Sequence, residues 1–146
     1  MIIVDTALKK RQQEGNLVKV GMVGSGYLGR GIALQIEKYI SGMQLVAISN
    51  RTLSKAEQAY RESGVDSVER VETRTQLEAS VASGKWAVTN DAMLLCEAEG
   101  IDAIIEVTGE IEFGAHVAMK AIENKKHVIL MNAELDATLG PILKVY

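Results

Sequence analysis

The sequence predicts an α/β fold with a doubly wound parallel sheet in a single domain. Short apolar segments rich in Val and Ile alternate with segments whose apolar residues recur at helical spacing. The runs "KVGMV", "LVAIS", "IDAIIEV" and "HVILM" show little of the polar alternation of a half-exposed strand, as expected of strands covered on both faces. A glycine cluster, "GSGYLG", stands where the first run gives way to the first long helical pattern. A repeated strand–helix order implies right-handed crossovers with helices on both faces of the sheet.

The opening "MIIVDTALKKRQQEGN" reads as an exposed leader helix over residues 5–14, capped by Asp5 or Thr6 and ended by Gly15. Residues 1–16 then lead into a domain of residues 17–146. Val18–Val23 is the first strand. Leu28, Ile32, Ile36 and Ile40 place an apolar stripe on a helix over residues 27–40, which Gly42 ends. Residues 45–49 form the second strand, and Ser54 caps a short helix that runs to Glu62 with Gly64 after it. Residues 65–85 depart from the minimal repeat. There Leu77 and Val81 mark a weak surface helix in an insertion before the third strand, residues 86–88. "NDAMLLCEAEG" is a short helix closed by Gly100, and residues 101–107 are the fourth strand. Phe113, Val117 and Ala121, flanked by Ala118 and Ile122, line a helix ending near Asn124, and residues 127–131 are the fifth strand. Pro141 lies just past it. The apolar ending, Ile142, Leu143 and Val145, is odd for a finished protein and implies a fragment of a longer chain.

At 146 residues the chain can build one real core, burying roughly 70% of its unfolded surface. Apolar residues are 47% and charged residues 24%, which excludes wholesale disorder. A net charge of -3 argues against a nucleic-acid partner, which generally demands a basic surface. No run approaches the roughly 20 apolar residues of a membrane span. The lone Cys96 allows no intrachain disulfide and suits a reducing cytoplasm. No His, Cys, Asp or Glu spacing suggests a metal site, and no Ser, His and Asp set suggests a triad.

Each glycine of "GSGYLG" has a separate task if the segment cradles a dinucleotide. Gly24 permits the tight turn out of the strand, Gly26 lets a pyrophosphate approach the backbone, and Gly29 lets the helix pack closely on the sheet. The backbone of Gly24, Ser25, Gly26, Tyr27, Leu28 and Gly29 then meets the phosphates at the start of a helix, where unpaired N–H groups and the helix dipole favour an anion. The competing account is a strand-to-helix turn that merely needs small residues. The strand-and-helix context gives a Rossmann-type reading its weight. About 20 residues on, where an acid usually reads the ribose of NAD, "SNRTLSKA" offers Asn50, Arg51 and Thr52. An acid would repel a 2′-phosphate, whereas these residues can hydrogen-bond one, so the expected cofactor is NADP, with NAD as the alternative. Arg51 could equally be a solvated surface residue, and Lys55 an exposed helix lysine.

Two further strand ends stand out, "EVTGE" and "MNAELDATLGP". Thr108 and Gly109 offer a hydroxyl and bare backbone where a nicotinamide ribose should pass. Asn132, Glu134 and Asp136 could face the nicotinamide or a substrate, which makes Glu134 and Asp136 the candidate catalytic acids. All five are also common caps and turn formers. His116, His127, Cys96, Trp86, Met43, Met93 and Met119 read as surface or packing residues.

Together, "VGMVGSGYLGRGIALQI", "IDAIIEVTGE" and "KKHVILMNAE" resemble the N-terminal domain of homoserine-dehydrogenase-like oxidoreductases. More narrowly, they resemble the SAF-domain-containing branch that includes the 1-deoxy-D-xylulose-5-phosphate-reductoisomerase-like proteins. The resemblance covers residues 5–146. It implies NADP-dependent hydride transfer with a small polar or phosphorylated carbonyl or hydroxy substrate, a further substrate domain, and homo-oligomers. It also implies pyrophosphate at Gly24–Gly29, adenosine at Asn50–Thr52, and nicotinamide near Thr108, Gly109 and Asn132. One departure is visible: homoserine dehydrogenases carry an Asn-Lys pair after the fifth strand, and here Asn132 precedes Ala133. A non-catalytic NAD(P)(H) sensor and an S-adenosylmethionine-binding domain are the alternative functions for this fold.

Overall fold

The computed structural model describes residues 2–146, and its six strands form one all-parallel sheet. They are β1 Val18–Val23, β2 Met43–Ser49, β3 Val68–Arg70, β4 Trp86–Thr89, β5 Ala103–Glu106 and β6 His127–Leu130, in the spatial order β3-β4-β2-β1-β5-β6. The helices are α1 Ile2–Gln13, α2 Tyr27–Tyr39, α3 Leu53–Glu62, α4 Arg74–Ala82, α5 Ala92–Glu97, α6 Ile111–Glu123 and α7 Ala133–Leu143. This is a Rossmann-like α/β fold in one domain. The chain winds outward from β1 to the β3 edge, then returns to place β5 on the other side of β1. That reversal opens a crevice at the C-terminal end of β1, where ligands of open α/β sheets bind.

The core has one layer on each face of the sheet. On one face Val20, Met22, Leu45 and Ile48 pack with Ala33 and Ile36 of α2 and with Ala56, Ala59 and Tyr60 of α3. On the other, Val23, Val46 and Ile104 pack with Leu77 and Val81 of α4, Leu95 and Cys96 of α5, and Val117 and Ala121 of α6. Leu45 and Ile48 share a face although they are three apart. The β1–β2 register jumps from Val20↔Leu45 to Gly21↔Ala47, so Val46 is an extra residue that shifts the side-chain alternation.

Several elements differ from the sequence-based expectation. The α2 stripe is rotated: the buried residues are Gly29, Ala33 and Ile36, while Leu28 and Ile40 are exposed at its margins. Small residues face the sheet because the helix backbone lies close to it. The segment 65–85 is no surface insertion; it supplies the edge strand β3 and a crossover helix α4 whose Leu77 and Val81 are fully packed. Helix α3 begins one residue before Ser54, with Thr52 at the N-cap position making no side-chain cap bond. Phe113 is exposed at the start of α6, where Gly114, Val117, Ala118 and Ala121 make the buried face.

At the C-terminus, Pro141 sits inside α7. Asn132 starts that helix by accepting from the Leu135 N–H at 3.1 Å, and buried Leu135 anchors it. Helix α1 begins three residues before residue 5 and docks on the α2–β2 turn: the Gln12 side chain accepts from the Gly42 N–H at 3.1 Å. Gly42 has φ +78, and a Cβ there would collide with the backbone of Leu8.

Candidate functional site

A cleft of about 550 Å³ opens at the C-terminal ends of β1, β2, β4 and β5. Its floor is the β1–α2 turn with Gly24, Ser25 and Gly26; one wall is Asn50, Arg51, Thr52 and Lys55, and the other is Val107, Thr108, Glu110 and Phe113. A third group, Asn90, Asp91 and Met93, comes from the β4–α5 connection. Of the residues marked by motif, Gly24, Ser25, Gly26, Asn50, Arg51, Thr52 and Thr108 line this crevice.

The glycines divide their labour. Gly24 has φ +107, and a Cβ on it would stand 2.9 Å from the Val107 carbonyl oxygen, so both conformation and the neighbouring β5–α6 loop require glycine. A Cβ on Gly29 would stand 2.8 Å from the Gly24 carbonyl oxygen, which is the close helix–turn packing expected of the third glycine. Gly26 differs from both. Its φ is -69, which any residue adopts, and beyond its chain neighbours a Cβ would meet nothing within 4 Å. Nothing in the chain itself demands glycine there. Gly26 also stands at the N-cap of α2 and supplies no side-chain cap to the first-turn N–H groups. Beside it the Ser25 hydroxyl, only 3% exposed, has no hydrogen-bond partner. A buried hydroxyl without a protein partner is free to bond a ligand or a water.

At the β2 end, Asn50 donates from Nδ2 to the Thr52 carbonyl at 2.9 Å and from its backbone N–H to Thr89 at 3.0 Å, which shapes the loop carrying Arg51. Among the described residues the ion pairs involve other cations, so neither Arg51 nor Lys55 has an acidic partner. Both face the cleft wall as exposed, unpaired positive charges. Asp91 caps α5, accepting from the Met93 N–H at 2.9 Å.

The opposite wall is bonded internally. Thr108 donates its backbone N–H at 2.8 Å, and also its hydroxyl, to Glu106 Oε1, while its Oγ1 accepts from the Glu110 N–H at 3.1 Å. Asn132 is 2% exposed: its Oδ1 caps α7 and its Nδ2 donates to the Glu110 carbonyl at 3.3 Å. It does not line the cleft, and neither do Tyr27, Leu28, Gly29 or Gly109. Glu134 and Asp136 lie exposed on the first turn of α7, also outside the cleft.

Of the residues the sequence marked as structural, Cys96 is buried, donates to the Val117 carbonyl, and has its thiol pushed up to about 12 by burial. His116 and His127 are exposed. Trp86 donates its indole N–H to Glu37 at 3.0 Å. Asn90, Asp91, Glu110 and Phe113 escaped the motif reading. Asn90 and Asp91 follow a strand, β4, that turned out to neighbour β2, and only the strand order brings their loop to the cleft.

The family model for oxidoreductases with an NAD-binding Rossmann fold, GFO_IDH_MocA, matches residues 18–130. The chain belongs to this family. A homoserine dehydrogenase of Methylobacillus glycogenes is 29% identical over 124 residues, which cover 84% of this chain and 26% of that protein. The homoserine dehydrogenase from Thiobacillus denitrificans superposes with a TM-score of 0.65 at 22% identity, over 88% of this chain and 26% of that one. Myo-inositol dehydrogenase from Lactobacillus casei, solved with NAD(H) and myo-inositol, gives 0.58 at 23% identity over 78% and 28%. At those identities the two structures show the shared fold. The chain spans about a quarter of the length of these relatives. No helix among the described residues is long and apolar enough to cross a membrane.

Proposed function

We propose that this chain is the cofactor-binding part of an NADP-dependent oxidoreductase acting on a small polar or phosphorylated carbonyl or hydroxy compound. One observation carries the dinucleotide: Gly26 opens onto the cleft with no atom beyond its chain neighbours within 4 Å of where its Cβ would be, next to a Ser25 hydroxyl with no partner among the described residues. A side chain is missing where the chain has no use for the space, and a pyrophosphate would use it. The residues present thus fit the group that the family binds. Gly24, Ser25 and Gly26 with the α2 N-terminus would hold the pyrophosphate. Asn50, Arg51, Thr52 and Lys55 would hold the adenosine end, and Thr108 would border the nicotinamide, which when bound gives or takes the hydride.

The choice of NADP over NAD rests on Arg51 and Lys55, two unpaired cations on a wall that offers no acid at position 50. A guanidinium and an ammonium stabilise a 2′-phosphate through charge-assisted bonds. The substrate class follows the resemblance to homoserine dehydrogenases and to reductoisomerase-like proteins, with homoserine itself disfavoured because Ala133 stands where those dehydrogenases have a lysine. Glu134 and Asp136 stand outside the cleft, so substrate contacts and proton transfer are assigned to parts of the enzyme beyond this chain, and the chain alone should bind cofactor without turnover. The test is calorimetry with NADP(H) and NAD(H) on the wild type and Arg51→Asp. NADP binding should weaken by about 2 kcal/mol or more, since a favourable pair becomes a repulsive one, with NAD binding little changed. Equal losses for both cofactors would remove Arg51 from the 2′-phosphate.

A further inference from the structure

Glu106 is the last residue of β5, follows the apolar Ile104 and Ile105, and is fully buried. Its Oε1 accepts two bonds from Thr108, while its Oε2 has no partner. A buried carboxyl with an unsatisfied oxygen costs free energy that an apolar side chain of similar size would not. The fold nevertheless makes room for it. A Cβ on Gly114 of α6 would stand 2.9 Å from Glu106 Cδ and 3.0 Å from Oε2, and also 2.9 Å from Leu135 Cδ2, so the helix carries glycine where it passes the carboxyl and α7.

What Glu106 controls is Thr108, which lines the cleft. A threonine hydroxyl has one hydrogen to donate and two lone pairs. Its hydrogen goes to Glu106 and one lone pair takes the Glu110 N–H. What remains for the cleft is a single acceptor, held at a fixed orientation. The same bonds continue through the Glu110 carbonyl to Asn132 and the start of α7, tying the wall to two helices.

We propose that Glu106 is a positioning residue that fixes Thr108 as a hydrogen-bond acceptor toward the nicotinamide half of the cofactor, whose ribose hydroxyls and carboxamide N–H groups are donors. This rests on the dinucleotide reading given above. Its consequence is an asymmetric one: loss of Glu106 should disturb the nicotinamide half and leave the adenosine half, on the far wall, untouched.

The experiment compares the wild-type chain with Glu106→Leu, Glu106→Gln and Thr108→Val, titrating each with NADPH and with 2′-phospho-ADP-ribose, which lacks nicotinamide. Nicotinamide fluorescence of bound NADPH reports the environment of the ring. Glu106→Leu and Thr108→Val should each lose tenfold or more in NADPH affinity and alter that fluorescence, with 2′-phospho-ADP-ribose affinity kept within twofold. Glu106→Gln should stay close to wild type, because its amide oxygen still accepts from Thr108. The double variant Glu106→Leu with Thr108→Val should be no worse than either single change, as for two members of one contact. Thr108→Val leaves the buried carboxyl in place and so decides the matter even if Glu106→Leu fails to fold. Wild-type NADPH affinity in Thr108→Val, or an equal loss of both ligands in Glu106→Leu, overturns the proposal while the dinucleotide reading stands. A wild type that binds neither ligand overturns both.

Discussion

Substituting Gly26 and Gly29 in parallel separates a cofactor cradle from a mere turn. For Gly26→Val the structure gives φ -69 and open space around the new Cβ, so the folded chain loses little. The N-cap preference of glycine over an aliphatic residue, worth about 0.5 to 1 kcal/mol, is partly offset by the reduced freedom of the unfolded chain, about 0.4 to 1 kcal/mol. The thermal midpoint of the free protein should move by no more than roughly 3 °C. Gly29→Ala meets a rigid backbone oxygen at 2.8 Å and should cost about 1 to 3 kcal/mol, lowering the midpoint by roughly 3 to 10 °C. The assay is differential scanning fluorimetry with and without NADPH. At a hundred times its Kd a ligand stabilises the folded state by about 2.7 kcal/mol. Wild type and Gly29→Ala should both gain that upward shift of the midpoint, and Gly26→Val should gain none. The reasoning is refuted if Gly26→Val is still shifted by NADPH, or if it melts far below the wild type without ligand.

Two further predictions concern groups away from the cleft. Burial raises the pKa of Glu37 above 4.5, against the lowering effect of its bonds from the Leu45 N–H and the Trp86 indole. Folding therefore increases its proton affinity, and its contribution to stability, full below pH about 4.5, is lost as pH rises through the raised folded value. Urea midpoints measured from pH 4 to 7 should fall less steeply with pH in Glu37→Gln than in the wild type; identical slopes would show that Glu37 does not titrate differently in the two states. Cys96, buried and with its thiol pushed up to about 12, should react with an aromatic disulfide at pH 8 only as fast as the protein unfolds. Fast labelling under native conditions would contradict the burial of α5.

The strands β1, β2, β4 and β5 were legible because each is a run of apolar residues feeding one or both core layers. β6 was legible from the same composition although it is an edge strand, not a strand covered on both faces: Ile129 and, just past the strand, Met131 are exposed, and only Val128 packs against the core. β3 was not, since "VER" offers one apolar residue on a three-residue edge strand whose existence depends on pairing with β4. Helix α4 carried a readable signal that periodicity alone undervalued: Thr73 and Gln76 form a capping box, the side chain of Thr73 accepting from the Gln76 N–H. Helix α7 went unread, with Pro141 placed only as lying past the last strand, although the helix is nucleated by Asn132 and held by Leu135. The α2 stripe misled for a physical reason. Spacing finds the large apolar residues, but close approach to a sheet is made by small ones, here Gly29 and Ala33.

The cleft joins two kinds of wall, and the difference bears on how such a site divides binding from chemistry. On the β2 side, Arg51 on the loop after the strand and Lys55 on the first turn of α3 are exposed and unpaired, an arrangement that attracts an anion without dictating its pose. On the β5 side, Thr108 is held by three bonds and no cation lines the wall. Charge supplies affinity over distance, whereas hydride transfer depends on the reacting carbon being held within about 3 to 3.5 Å of its partner. In the arrangement proposed above, a buried carboxyl that orders Thr108 serves orientation, and β5 ends on that carboxyl, Glu106, beside a glycine, Gly114, that leaves it space.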